Sequence, residues 1–145
     1  IMIGGGGEQL LLKVVARHAD VCNFSAWLGS PEDYRRKLSV LESRCAQVGR
    51  DPGEIRKSWA AYVLVKKNIV EAEEASRRFA ERMAGVYGGP QDQLKPPIVG
   101  TPEECVEKIR RYIDVGVTLF ILRFVGGDTL GEAELFADDV MSAFR

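Results

Sequence analysis

Short apolar runs alternate with amphipathic helical segments along the whole chain, and this alternation limits the possible folds more than any other feature. Runs rich in apolar or β-branched residues predict strands at residues 1–3, 21–24, 59–65 and 117–125. Helical patterns separate these runs, which implies right-handed crossovers and a parallel sheet. The alternation fits either an open doubly wound sheet or part of a closed (β/α)8 barrel, which has eight strands.

Two of the predicted helices begin with clear capping signals. Ser30 stands before Pro31 and two acids, which predicts an N-cap followed by proline in the first helical position. Thr101 stands three residues before Glu104, which predicts a capping box.

The region between these two helices holds a third helix and a long irregular segment. Residues 69–84 predict a charged helix whose acids and bases, at helical spacing in residues 71–82, indicate a solvated face without a functional role. Glycine and proline are frequent in residues 85–100, so we predict a loop between helices there. A last helix is predicted at residues 132–144, and the whole of residues 1–145 is expected to form a single domain.

Composition excludes several classes of protein. The 145 residues are 46% hydrophobic and 28% charged with a net charge of −1, which indicates a globular protein without a basic field for nucleic acid. No apolar run approaches the roughly 18 residues of a membrane span, and no signal peptide is recognised, so we expect a cytoplasmic protein. The three cysteines are far apart and form no C-x-x-C, so they predict buried core residues and no metal site.

A run of four glycines, Gly4 to Gly7, joins the first predicted strand to the first helix. Glycine lets a backbone approach an anion closely, and a helix N-terminus presents N–H groups to it. The named fingerprints fail, because Gln9 stands where G-x-G-x-x-G needs its third glycine and no Gly-Lys-Ser/Thr follows. From the residues alone, a phosphate site and a flexible turn without a ligand both remain open.

Four features in a fixed order carry a resemblance to a known family. They are the glycine turn, a helix that ends in Ala-Asp before a strand with Asn, the VGRDP turn and the VGTPEE helix start. These features lie in the segments GGGGEQLLLKVVARHADVCNF, SPEDYRRKLSVLESRCAQVGRDPGEI and IVGTPEECVEKIRRYIDVGVTLFILRF. Together they resemble the C-terminal half of the luciferase-like monooxygenase superfamily, and more narrowly its F420-dependent oxidoreductase branch. The resemblance covers essentially the whole chain, although F420 and FMN members share this half.

The resemblance implies a fold and a cofactor site. It implies strands five to eight of a TIM (β/α)8 barrel with helices on the outside, with IMI as a shortened fifth strand. The cofactor would be coenzyme F420, with FMN as the alternative. Its phosphate would be held by backbone N–H groups of Gly5, Gly6 and Gly7 and by a side chain of Asn23 or Ser25.

Arg123 is the other candidate site residue. It interrupts an apolar strand near its C-terminal end, where barrel active sites lie, so it could bind a substrate anion or pair with a nearby loop. Trp59 and Tyr62 are predicted as core residues. No residue is predicted to be catalytic, because the family's acid/base and ring-binding residues lie in the other half.

Three functional hypotheses follow from this resemblance. The first is part of an F420-dependent oxidoreductase that acts on a small organic substrate and anchors the cofactor phosphate at the glycine turn. The second is an FMN-dependent monooxygenase half-barrel, and the third is an inactive truncated domain with only an assembly role. Half of a barrel leaves sheet edges and an apolar face uncovered, so we expect a homodimer or a complex with the missing N-terminal half.

Overall fold

The computed structural model describes residues 1–25, 27 and 29–145, which form an α/β fold of parallel strands and helices. The strands are β1 (Met2–Gly4), β2 (Val21–Ser25), β3 (Arg56–Val65), β4 (Ile98–Gly100) and β5 (Leu119–Phe124). The α-helices are α1 (Leu11–His18), α2 (Pro31–Val48), α3 (Ile69–Tyr87), α4 (Pro102–Asp114) and α5 (Thr129–Leu135). Short 3₁₀ turns occupy Pro52–Glu54, Gln91–Leu94 and Met141–Phe144, and a π-helical turn occupies Phe136–Val140.

The chain forms two compact units. The first comprises Ile1–Ala60 and Arg111–Ile121, and the second comprises Ala61–Arg110 and Leu122–Arg145. Strands β3 and β5 therefore contribute residues to both units.

In the first unit the strands pair in parallel and in chain order, as the alternation predicts. Strand β1 pairs with β2, and β2 pairs with β3, with Gly4 opposite Asn23 and Asn23 opposite Ser58. On entering β5, the Thr118 N–H donates to the carbonyl of Lys57 at 2.9 Å. The four predicted strands therefore pair in chain order, but the sheet has five strands, because β4, which was not predicted, also pairs with β3.

Aromatic rings form much of the core of the first unit. The Trp59 ring stacks on Tyr112 with centroids 3.6 Å apart, and Trp59 is fully buried, which confirms it as a core residue. Phe24 meets the Tyr34 ring edge-on with centroids 5.0 Å apart, and this contact packs β2 against α2. Such contacts add to the hydrophobic stabilisation that burial of large rings supplies.

Both predicted helix starts are confirmed. The Asp33 N–H donates to Ser30 Oγ at 3.2 Å, and the Ser30 N–H donates to Asp33 Oδ2 at 3.1 Å, which is a reciprocal capping box for α2. At α4, the Thr101 N–H donates to Glu104 Oε2 at 2.9 Å. These bonds satisfy donors that a helix N-terminus otherwise leaves without partners.

In the second unit, the end of β3 takes two partners. Val63 to Val65 pair in parallel with β4, and the Val125 N–H donates to the carbonyl of Val63 at 3.0 Å. Thr118 is bonded to Lys57, and Val125 is bonded to Val63. Because the residue numbers increase together along both strands, β5 runs parallel to β3.

The segment predicted as a loop, residues 85–100, is partly ordered structure. Helix α3 continues to Tyr87, and β4 lies inside the segment directly after Pro96 and Pro97. A strand of three residues is too short to show a period-2 pattern, and it forms here because its backbone pairs with β3. The last helix also differs from the prediction, since α5 begins at Thr129 and its helical turns become π-helical at Phe136.

The cysteines are buried, as predicted. Burial raises the pKa of Cys22 and of Cys105 to about 12, so neither is a thiolate at neutral pH. In the part of the chain that the structure describes, no helix is both long and apolar enough to cross a bilayer.

Candidate functional site

The glycine turn, Gly4 to Gly7, connects β1 to α1 in the first unit. The Gly5 N–H donates to the Asn23 carbonyl at 2.9 Å, which extends the β1–β2 ladder by one bond. Gly5 has φ = +129°, and a Cβ at this position would collide with Cδ2 of Leu11. The backbone conformation therefore favours glycine at this position, and a larger residue would also displace the end of the Leu11 side chain. Because the Gly5 N–H is already used, the donor role expected of the turn falls to Gly6 and Gly7.

Gly6 and Gly7 present the accessible backbone of the turn. Within residues 1–25, 27 and 29–145, neither N–H is hydrogen-bonded to an acceptor. The Gly7 carbonyl accepts the Leu12 N–H at 3.0 Å, and a Cβ on Gly7 would lie 3.5 Å from Leu11 Cβ, an ordinary contact. Two neighbouring N–H groups in front of a helix are the arrangement that binds anions in proteins.

Two cations of α2 reach the glycine turn. Lys37 Nζ donates to the Gly6 carbonyl at 2.8 Å and to Glu8 Oε1 at 2.6 Å, and its side chain is only 15% exposed. Arg36 Nη1 donates to the same Glu8 oxygen at 2.8 Å. The hydrogen bond from Lys37, more than any other contact, lowers the pKa of Glu8 below its usual value. The two cations fix the turn, and the carboxylates of Glu8 and Asp33 neutralise much of their charge.

Asn23 lies next to the turn at the end of β2. Its Oδ1 accepts a hydrogen bond from the buried Ser58 Oγ at 2.8 Å, and its Nδ2 is 3.6 Å from the position of a Cβ on Gly4. The amide N–H₂ therefore points toward β1 and can donate to a ligand. Ser25 is exposed, on the same face of β2 as Asn23 and beyond the last residue paired with β1. Ser58 was missed by the sequence reasoning, because only the strand register places it opposite Asn23.

Arg123 lies in the second unit and lines a cavity of about 420 Å³. The guanidinium of Arg123 is 6.0 Å from the centroid of Tyr62, and Arg82 lies 5.5 Å from the centroid of Phe79. We call this space the arginine cavity; its lining is completed by Met83, Tyr87, Phe124, Val125, Gly127 and Thr129.

The structure corrects the sequence prediction at one residue of the arginine cavity, Tyr62. Tyr62 is half-buried and lines the cavity, although it was predicted as core. Arg82 is exposed, as predicted for the solvated face of residues 71–82, and it also lines the cavity. Two arginines of that stretch do form exposed i,i+4 ion pairs, Arg77 with Glu81 and Arg78 with Glu74. The position of Phe79, three residues before Arg82, is the only sequence signal that sets Arg82 apart.

A second cavity of the same unit, of about 520 Å³, carries the opposite charge. We call it the acidic cavity; its charged lining consists of Lys66, Lys67, Glu71, Asp128, Glu132, Glu134, Asp138 and Asp139. Its buried charge is neutralised, because Lys66 Nζ lies 2.8 Å from Glu132 Oε1 and the Gly126 N–H donates to Glu132 Oε2 at 2.9 Å. Within residues 1–25, 27 and 29–145, no group of three His, Cys, Asp or Glu side chains is arranged to hold a metal ion.

Comparison with known structures identifies proteins that share this fold. No family model matches the chain. The F420-dependent tetrahydromethanopterin reductase of Methanopyrus kandleri superposes with a TM-score of 0.74 and 19% identity, over 99% of this chain and 50% of the reductase. An F420-dependent secondary alcohol dehydrogenase, solved with an F420–acetone adduct, gives a TM-score of 0.76 and 18% identity, over 97% of this chain and 48% of that enzyme.

The long-chain alkane monooxygenase LadA gives a TM-score of 0.76 and 17% identity, over 99% of this chain and 40% of LadA. The chain thus spans about half the length, or less, of the structures it matches. At these identities the likeness establishes a common fold. These neighbours are an F420-dependent reductase, an F420-dependent dehydrogenase and a monooxygenase, and the chain shares their α/β fold.

Proposed function

We propose that this chain is part of a luciferase-like oxidoreductase and that its glycine turn anchors the phosphate end of the cofactor. The observation that carries the proposal is the pair of N–H groups at Gly6 and Gly7, which have no acceptor among the described residues and lie beside Lys37. A phosphate would accept from both N–H groups, and the amide of Asn23 would supply a side-chain donor.

The proposed cofactor is F420, because two structural neighbours are F420-dependent, and FMN is the second candidate, because a riboflavin lyase of similar fold was solved with a modified FMN. When bound, F420 would exchange a hydride with a small organic substrate, whereas FMN would activate O₂. The role of this chain's residues is to bind and orient the phosphate end. Gly6 and Gly7 hold the phosphate, and Lys37 holds the turn in place through the Gly6 carbonyl.

Replacement of Gly6 by Val tests the phosphate site. A side chain at Gly6 would block the approach of an anion to the backbone, so cofactor binding should be abolished with little loss of fold. Cofactor titration followed by absorbance measures the binding and also separates F420 from FMN, whose spectra differ. Gly85→Val is the matched control, because Gly85 lies outside the turn, its φ is not positive, and a Cβ there would meet no atom within 4 Å. Unchanged affinity for both cofactors in Gly6→Val would contradict the proposed anchoring role.

We also propose that the first unit is completed by another chain, either a second copy or an N-terminal half of the barrel. Two apolar strand residues support this proposal, because Met2 and Ile121 are 47% and 39% exposed. Exposed apolar strand residues are typical of surfaces that a partner covers. Sedimentation velocity at micromolar concentration tests the proposal, and a stable monomer of 16.1 kDa would contradict it.

A further inference from the structure

The arginine cavity of the second unit combines positive charge with aromatic walls. We propose that it binds planar organic anions, that is, aromatic molecules that carry a carboxylate or sulfonate group. That the cavity binds such anions depends only on its geometry. That such anions are substrates of an enzyme rests on the oxidoreductase function proposed above.

The two guanidinium groups of the cavity carry unneutralised charge. Among the described residues, the arginines that pair with carboxylates are Arg36, Arg50, Arg77 and Arg78. Arg82 and Arg123 form no such pair within the part of the chain that the structure describes, and no Asp or Glu lines the cavity. Two positive charges without a counterion favour an anionic ligand.

Each guanidinium group lies over an aromatic ring, which attracts the cation without neutralising its charge. Arg82 lies over Phe79 and Arg123 lies over Tyr62, at 5.5 and 6.0 Å from the ring centroids. The two rings are themselves in contact, with centroids 5.4 Å apart. A guanidinium held against a ring retains N–H donors in a fixed fork, which matches the two oxygens of a carboxylate. The contact between the rings therefore places both arginines around one space.

The walls and the size of the cavity select a planar, partly apolar ligand. Tyr62, Met83, Phe124 and Val125 are half-buried and supply the apolar wall of the cavity, whereas Phe79, only 2% exposed, packs against the Tyr62 ring from within the core. Tyr87 is 70% exposed and offers a further ring to a ligand at the edge of the cavity. The volume of about 420 Å³ lies within the range of ligand pockets. Apolar walls favour an aromatic body, and the arginines favour an anionic group on it.

Titration of the purified protein with naphthoate, in the absence of cofactor, tests this inference. Naphthamide is the matched neutral probe, since it has the same ring system without the charge. Ligand fluorescence or ligand-observed NMR reports saturable binding. We expect naphthoate to bind at least about tenfold more tightly than naphthamide, because hydrogen bonds between charged groups are the strong ones.

The variants Arg82→Met and Arg123→Met remove each charge and keep the aliphatic stem. Each should weaken naphthoate binding by about tenfold and leave naphthamide binding nearly unchanged. Arg78→Met is the matched control on the same helix, because Arg78 pairs with Glu74 at 2.5 Å and does not line the cavity. Arg123→Lys keeps the charge without the fork and should restore part of the affinity. Circular dichroism of each variant verifies the fold.

Three outcomes would overturn the inference: no saturable naphthoate binding, equal affinity for the neutral probe, or equal loss in Arg78→Met and Arg82→Met. Its failure is distinguishable from failure of the proposed function. The naphthoate titration contains no cofactor and concerns Arg82 and Arg123, whereas the cofactor titration concerns Gly6 in the other unit. Naphthoate binding with normal cofactor binding in Gly6→Val would support the cavity and contradict only the phosphate anchor.

Discussion

The glycine turn and the arginine cavity both place two cations beside a candidate anion site, but they hold those cations differently. At the turn, Lys37 and Arg36 share the carboxylate of Glu8, so much of their charge is neutralised. In the cavity, Arg82 and Arg123 lie against aromatic rings and keep their charge. The turn must therefore bind an anion mainly through backbone N–H groups, whereas the cavity can bind one through side chains.

The kind of partner decides whether a cation at each site mainly stabilises the fold or remains available to bind a ligand. A carboxylate partner fixes a cation and weakens its attraction for a ligand, whereas a ring attracts a cation and leaves its N–H groups directed outward. The ring that attracts Arg82 also belongs to the core, because Phe79 is almost fully buried. Removal of a ring and removal of a cation should accordingly have different consequences.

The largest effect on stability is expected for Phe79→Ala. Loss of a buried phenyl ring should lower the free energy of unfolding by about 3–5 kcal/mol, from the lost burial and the cavity left behind. Phe79 is 2% exposed and contacts Tyr62, so little can move to fill the space. Urea denaturation measures the change.

Arg82→Met is the control for this prediction. Because Arg82 is exposed and forms no ion pair within the described residues, its loss should change the free energy of unfolding by less than about 0.5 kcal/mol. If both variants destabilised the protein equally, Arg82 would be part of the core packing, and the distinction between ring and cation would be wrong.

A smaller loss of stability is expected for Gly5→Ala in the glycine turn. With φ = +129° and Leu11 in the path of a Cβ, alanine at Gly5 is strained, and a residue in such a conformation costs about 1–3 kcal/mol. Gly7→Ala is the matched control, since its Cβ would meet Leu11 at an ordinary 3.5 Å and should be nearly neutral. Thermal unfolding of both variants measures the difference, and equal melting temperatures would contradict the preference for glycine at Gly5.

The sequence predicts those parts of the fold that depend on local chemistry. The capping box of α2 lies within four residues, Ser30 to Asp33, and the order of the parallel strands follows from the alternation alone. Strand β4 could not be predicted in this way, because its three residues form a strand only through pairing with Val63 to Val65. The glycine turn was visible as a motif, but the use of the Gly5 N–H by Asn23 depends on the register of two strands.

The arginine cavity shows the same limit more strongly. Arg123 was recognised because a cation interrupts an apolar strand near its end. Arg82 has charged neighbours on its own helix and looks like them in the sequence, and only the contact of Phe79 with Tyr62 separates it from Arg78. Tyr62 lies in an apolar strand segment, so the sequence predicts it as a core residue. These three residues come together only through tertiary packing, so no local sequence pattern predicts that they share a site.

Glu8→Gln should make the glycine turn more like the arginine cavity. The variant removes the shared carboxylate of Lys37 and Arg36 and leaves both cations without that counterion. We expect inorganic phosphate to bind the variant a few-fold more tightly than the wild type, with a steeper dependence on salt. Phosphate titration followed by NMR of the Gly6 and Gly7 amides measures the affinity. Weaker phosphate binding in the variant would show that Glu8 organises the site more than it opposes an anion.

The smallest effect is a pH dependence of stability at the same residue. The pKa of Glu8 lies below its usual 4.5, chiefly because Lys37 donates a hydrogen bond to the carboxylate. A carboxyl group whose pKa is lowered on folding stabilises the folded state above its unfolded pKa, and this contribution is lost as the pH falls through the lowered folded value. The wild type should therefore be slightly more stable than Glu8→Gln at neutral pH, and the difference should disappear as the pH falls below 4.5. Urea denaturation of both proteins across this range measures the difference. It should also shrink at high salt, because Glu8 is solvent-accessible; a difference that grew in acid would show that Lys37 does not stabilise the ionised form.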